Sequence, residues 1–212
     1  MGKEAVSLSE QGEQGVADPV ESLENGYSSS LTGSFPRSET GYCHGDKLRD
    51  SYRELYTRLD CDVIRPCLDI ASRALRLEQD LQSVWFREGP GACQLRLAHY
   101  VPGTGGGKLL YGEHTDYDGL TFLWRNRSNG LQACCDGQWQ DIPLLDSHPD
   151  ALLINLGDLM EFWTSSRWHS PLHRVLRGAQ TENDLLSVVM FAGQQERNKR
   201  FLQKEKYEHI LR

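Results

Sequence analysis

The apolar positions of this 212-residue chain change period once, near Gly89-Pro90-Gly91. Upstream, Leu48, Tyr52, Leu55, Tyr56 and Leu59 recur at spacings of three and four, as do Leu68, Ala71, Leu75 and Leu81. That period puts one apolar stripe on a helix and predicts a helical segment over 47–88. Pro66 has no amide hydrogen and clashes with the turn before it, so the segment should come in two pieces. Downstream, Cys93–Tyr100, 120–124 and Leu131–Cys135 alternate, whereas 151–156 and 185–191 are nearly continuous apolar runs. Alternation suits strands with one buried face. Pro102-Gly103, Asn129-Gly130, Asp136-Gly137 and Gly157-Asp158 punctuate them as turns. At the last of these, glycine is expected to adopt a positive φ and aspartate to bond backbone. Many short strands with turns between them predict a mainly β fold with flanking helices, a double-sheet jelly roll, over 89–195. Residues 196–212 return to a charged, helix-compatible pattern. Residues 1–46 carry few large apolar side chains, several breakers and an acidic early part, and read as an unstructured tail.

Composition narrows the partners. A net charge of −7 argues against nucleic acid or an anionic membrane, because phosphate binding needs a basic face. No apolar run approaches the ~20 residues of a membrane-spanning helix. The opening Met1-Gly2-Lys3-Glu4-Ala5 lacks the apolar stretch of a secretory signal. The six cysteines show no CxxC pair and no regular framework, which fits reduced thiols. The expected compartment is cytoplasmic.

Candidate chemistry centres on His114-Thr115-Asp116 and His173. Residues two apart on a strand face the same way, so His114 and Asp116 can address one point. A second imidazole from a later strand, His173, would make two histidines and one carboxylate on one side of a metal. That facial arrangement suits non-haem Fe(II) and leaves the opposite positions open. A lone HxD arises often by chance, and a lone histidine is more often structural than a ligand. The neighbouring residues must therefore decide.

Those neighbours carry a resemblance. The run 112–123, Gly130-Leu131-Gln132 followed by Gly137-Gln138-Trp139, the run 155–164 and the run 167–175 closely resemble, in order and separation, the isopenicillin-N-synthase-like 2-oxoglutarate/Fe(II)-dependent dioxygenases. The likeness covers the family's C-terminal catalytic region, about residues 95–191, and the N-terminal region here is short for the family. It implies a double-stranded β-helix with His114, Asp116 and His173 as Fe(II) ligands. It further implies 2-oxoglutarate as cosubstrate, O2 as oxidant, and oxidation of a C–H bond in a small organic substrate, by hydroxylation or desaturation. Tyr100 and Ser187 match family positions that touch the cosubstrate carboxylate. Arg174 should face away from the metal, and Trp139 and Trp163 read as core.

One position departs from the pattern. The family grips the far carboxylate of 2-oxoglutarate with an arginine two residues before the serine, because guanidinium matches carboxylate with two parallel bonds. Leu185 stands there. Arg96, Lys108, Arg125 and Arg177 are candidate replacements. Alternatively the protein is a catalytically impaired metal-binding member, or an oxidase that does not use 2-oxoglutarate.

Overall fold

A computed structural model describes residues 20–26, 44–77, 81–82, 93–100, 109–126, 130–143, 148–176 and 185–193. The chain divides into two compact units, one holding the helical segment and the other the strands.

In the helical unit, α1 spans His44–Arg58, a π-helical stretch spans Leu59–Ile64, and α2 spans Arg65–Leu75. The expected separation into two pieces at Pro66 does not occur, since helical backbone continues from His44 to Leu75. The helix widens by one residue per turn just before the proline, which then occupies the first turn of α2, where its missing N–H is no loss. Tyr52, Leu59, Leu68 and Ala71 are buried as the stripe predicts, whereas Leu55 is exposed and Ile64, outside the stripe, is buried. Helix α2 ends at Arg76, whose left-handed φ of 55° lets its amide and that of Leu77 turn back to the Arg73 and Ser72 carbonyls.

The strand-rich unit is a jelly roll of two antiparallel sheets. One runs β1 (Val20–Gly26), β2 (Cys93–Tyr100), β9 (Leu185–Ala192), β4 (Leu120–Arg125), β7 (Leu153–Leu156). The other runs β3 (Leu109–His114), β8 (His173–Leu176), β5 (Leu131–Cys135), β6 (Gln138–Asp141). The short helix α3 (Asp158–Trp163) follows β7. Within the stretch read from sequence as a tail, 20–26 forms an edge strand and 44–46 open α1; the rest of 1–43, and the helix expected over 196–212, lie outside the described residues.

Alternation sorts the residues of β4 and β9. Phe122 pairs with Met190, and both are almost wholly buried on one face. Thr121, Leu123 and Arg125, with Ser187, Val189 and Phe191, line a cavity on the other. Strands β5 and β6 join through Asp136 and Gly137, with φ of 51° and 75°, the positive pair that a two-residue hairpin requires.

Candidate metal centre

Strands β3 and β8 bring the two histidines together, since His114 pairs directly with His173. Their ring centroids lie 4.2 Å apart. Asp116 arrives differently from the sequence expectation. Strand β3 stops at His114, so Asp116 lies in the loop beyond it and strand alternation does not aim it. Tertiary bonds do. The Asp158 amide donates to the Asp116 carbonyl at 2.7 Å, the Leu159 amide to Asp118 at 3.2 Å, and the Gly157 amide to Gly119 at 3.0 Å. Thr115 donates its hydroxyl to the Asp158 carboxylate at 3.2 Å. The start of α3 thus holds the loop by its carbonyls.

Gly157 is required there for a reason other than the one expected. Its φ is −109°, open to any residue. A Cβ at this position would instead collide with the Asp118 carbonyl and lie 2.9 Å from that of Asp116. The glycine permits close backbone approach. The Asp158 carboxylate, expected to bond backbone, instead accepts from the Thr115 hydroxyl.

The resulting geometry is converged. His114 Nε2 and His173 Nε2 each lie 3.8 Å from Asp116 Oδ1. Among the described residues, this trio offers one ligand atom each, all within 4.8 Å of one another. The opposite ring nitrogens meet backbone carbonyls: His114 Nδ1 lies 2.8 Å from Gly112 O, and His173 Nδ1 lies 3.0 Å from Pro171 O. A carbonyl only accepts, so each Nδ1 carries a hydrogen, and in the neutral ring the Nε2 lone pair then faces the centre. Burial, and then the His173 imidazole, hold His114 below the usual histidine range and favour its neutral, ligating form. Asn155, which sequence reading passed over, donates to Asp116 Oδ2 at 2.7 Å and leaves Oδ1 facing the histidines. Burial, followed by the Asp116 and Asp158 carboxylates, pushes the neighbouring Asp118 carboxyl up to about 8. Two imidazoles and one carboxylate, each backed by an orienting partner, fit a divalent metal such as Fe(II).

Asn155→Ala should leave Asp116 free to turn. Metal affinity is expected to fall roughly 10- to 100-fold, as read by titration with Mn(II). Unchanged affinity would show that the carboxylate needs no such guide.

Beside the trio lies a cavity of about 300 Å³ between the two sheets. Tyr100, Ser187 and Leu185 all line it, as do Arg96 and Arg125. Leu185 is buried in a small cluster with Ala98, Tyr100 and Leu110. Arg174 faces away from the metal, as expected. It pairs with Glu113 at 2.7 Å, donates to Gln132 at 3.0 Å and stacks 3.9 Å from the Trp139 ring. Trp163 is buried, whereas Trp139 is only half-buried beneath that arginine rather than in the core.

Residues 91–194 match the sequence model of the 2OG-Fe(II) oxygenase superfamily. That stretch, about half of the chain, belongs to the superfamily. A 2-oxoglutarate-dependent dioxygenase of Monascus ruber is 37% identical over 113 residues, covering 50% of this chain and 33% of its own. A rice 1-aminocyclopropane-1-carboxylate oxidase is 32% identical over 152 residues, covering 68% and 45%. The chain therefore spans less than half the length of these relatives. Among solved structures, the dioxygenase for auxin oxidation 1 of Arabidopsis thaliana, in complex with 2-oxoglutarate, superposes with a TM-score of 0.59 at 23% identity, over 84% of this chain and 64% of that one. That likeness is one of fold, and it agrees with a superfamily jelly roll.

Proposed function

We propose that this oxygenase-superfamily chain binds Fe(II) through His114, Asp116 and His173, and couples oxidative decarboxylation of 2-oxoglutarate to oxidation of a C–H bond in a small organic molecule. The observation that carries the reading is the meeting of two histidine Nε2 atoms and Asp116 Oδ1 beside the cavity. The names and bound ligand of the similar proteins support it. Bound Fe(II) would supply O2 activation and the two-electron oxidation of substrate and cosubstrate.

The chain's own residues do the rest. Gly112 and Pro171 carbonyls hold the imidazoles, and Asn155 turns Asp116. Leu123, Val175, Val189 and Phe191 give the cavity an apolar lining that keeps water from the reacting groups. Tyr100 and Ser187 offer hydroxyls to the cosubstrate's far carboxylate. We place this chemistry in the cytoplasm, with support from the free thiols of Cys61, Cys67, Cys93, Cys134 and Cys135. No helix among the described residues is long and apolar enough to cross a membrane.

The test is anaerobic Fe(II) titration followed by succinate release on admission of air, with and without candidate substrates. The reading expects stoichiometric metal and 2-oxoglutarate-dependent succinate. Absence of metal uptake would sink it. Leu185 favours a second reading, a metal-binding member without turnover, which predicts iron uptake with no affinity for 2-oxoglutarate.

A further inference from the structure

The arginine that the superfamily pattern expects at 185 is absent, yet a guanidinium stands in the same part of the cavity. Arg125 closes strand β4 and pairs directly with Ser187 of β9. Thr121, Leu123 and Arg125 alternate onto the cavity face of β4, while Leu185, Ser187 and Val189 do so on β9. Directly opposite residues on one sheet face sit about 5 Å apart at Cβ, and the diagonal neighbour about 7–8 Å, within reach of a long side chain. Leu185 is that diagonal neighbour of Arg125. An arginine reaching in from β4 can therefore fill the space that one at 185 would have used. Leu185 itself packs against Tyr100, the other residue matched to the cosubstrate carboxylate.

The state of Arg125 fits such a task. The side chain is half-buried, and among the described residues no carboxylate pairs with it. A terminal nitrogen donates to the Ile142 carbonyl at 2.6 Å, which braces the stem and leaves other N–H groups for a ligand. Burial pulls its pKa below the usual guanidinium range, as expected of a cation stripped of water without a counter-charge. An anion in the cavity would restore that balance.

The other cations singled out from sequence fit less well. Arg96 lines the cavity but leans on Tyr111, 3.3 Å from its hydroxyl and 5.3 Å from the ring centre. Its charge is felt by His114, which places it toward the metal end. Lys108 and Arg177 lie outside the described residues. Spacing along β4 also suits Arg125. Thr121 pairs across β7 with Asn155, the residue bonded to Asp116, and so marks the metal end. Arg125 lies two same-face steps farther, roughly 13 Å along the strand at about 3.3 Å per residue. Extended 2-oxoglutarate with its metal bond and a terminal hydrogen bond spans roughly 10 Å, and the arginine stem can lean across the remainder.

We infer that Arg125, supplied by β4, replaces the missing β9 arginine and, together with Ser187, grips the far carboxylate of a 2-oxo diacid cosubstrate. This rests on the function proposed above. It makes Arg125 a determinant of cosubstrate choice and turns the Leu185 departure into a relocation of charge.

The experiment compares two probes on protein loaded with redox-silent Mn(II) under anaerobic conditions. One probe is 2-oxoglutarate. The other is 2-oxopentanoate, which has the same carbon count and chelating end but a methyl group in place of the far carboxylate. Calorimetric titration of wild type should favour 2-oxoglutarate at least tenfold. Arg125→Ala should weaken 2-oxoglutarate about 30-fold or more while leaving 2-oxopentanoate within about threefold. Arg125→Lys should recover part of the loss, and adding Leu185→Arg to Arg125→Ala should recover more. Mn(II) affinity in each variant reports an intact fold; should Arg125→Ala lose it, Arg125→Met, which keeps the stem, is judged in its place. Equal weakening of both probes, or 2-oxoglutarate affinity unmoved, overturns the assignment of Arg125. Mn(II) uptake with no preference between probes overturns it as well while leaving the metal reading intact. Absence of Mn(II) uptake by wild type overturns both.

Discussion

Gly157→Ala is expected to cost both the fold of the metal loop and its affinity for metal. The added methyl would enter the Asp118 carbonyl, a backbone atom that cannot swing aside as a flexible side chain would. To relieve the collision, α3 and the 116–119 loop must separate. Three backbone bonds then stretch together, from Gly157, Asp158 and Leu159 to Gly119, Asp116 and Asp118. Overpacking against backbone typically costs about 3 kcal/mol or more when several bonds go with it. For a chain of this size that is a fall of roughly 6–12 °C in melting temperature. Asp116 moves with its own carbonyl, so Mn(II) affinity should drop at least 100-fold. Thermal melting without metal and Mn(II) titration check the two halves. Survival of both would mean that the loop holds its shape without α3, and the account of how Asp116 is aimed would fail.

Asp116→Ala should separate the two effects. It removes the only carboxylate of the trio, so metal affinity should fall well over 100-fold, beyond the loss assigned to its orienting partner. The metal-free fold should not suffer in proportion. Asp116 is buried at 6% exposure and its charge acts on the buried Asp118 carboxyl, so its removal relieves repulsion between those acids. Against this stands one lost bond from Asn155. The expected change in metal-free melting temperature is within a few degrees and can be upward. Metal should raise the melting temperature of wild type and not that of the variant. A metal-induced rise in Asp116→Ala equal to that of wild type would move the site elsewhere.

Much of this site was legible as sequence because its signals are local. Cys93–Tyr100 and Leu131–Cys135 form strands with the bounds that their patterning suggests, since alternation reports which face of a strand is buried. The Asp136-Gly137 hairpin follows from two residues that tolerate positive φ. The order of motif blocks around His114 and His173 anticipated two imidazoles that face each other across β3 and β8. Trp139 was misjudged because an aromatic on a strand can serve either face, and only the neighbouring Arg174 decides which.

What the letters alone determined was therefore the set of residue types, the alternation of strands such as Cys93–Tyr100 and Leu131–Cys135, and the superfamily likeness. Tertiary structure alone decided how Asp116 is aimed, why Gly157 must be glycine, and that Arg125 stands opposite Ser187. The physical reason is that side-chain direction repeats within a few residues of one strand. Which strand lies beside which, and in what register, is settled by contacts between segments some 40 to 60 residues apart, and no local period encodes that.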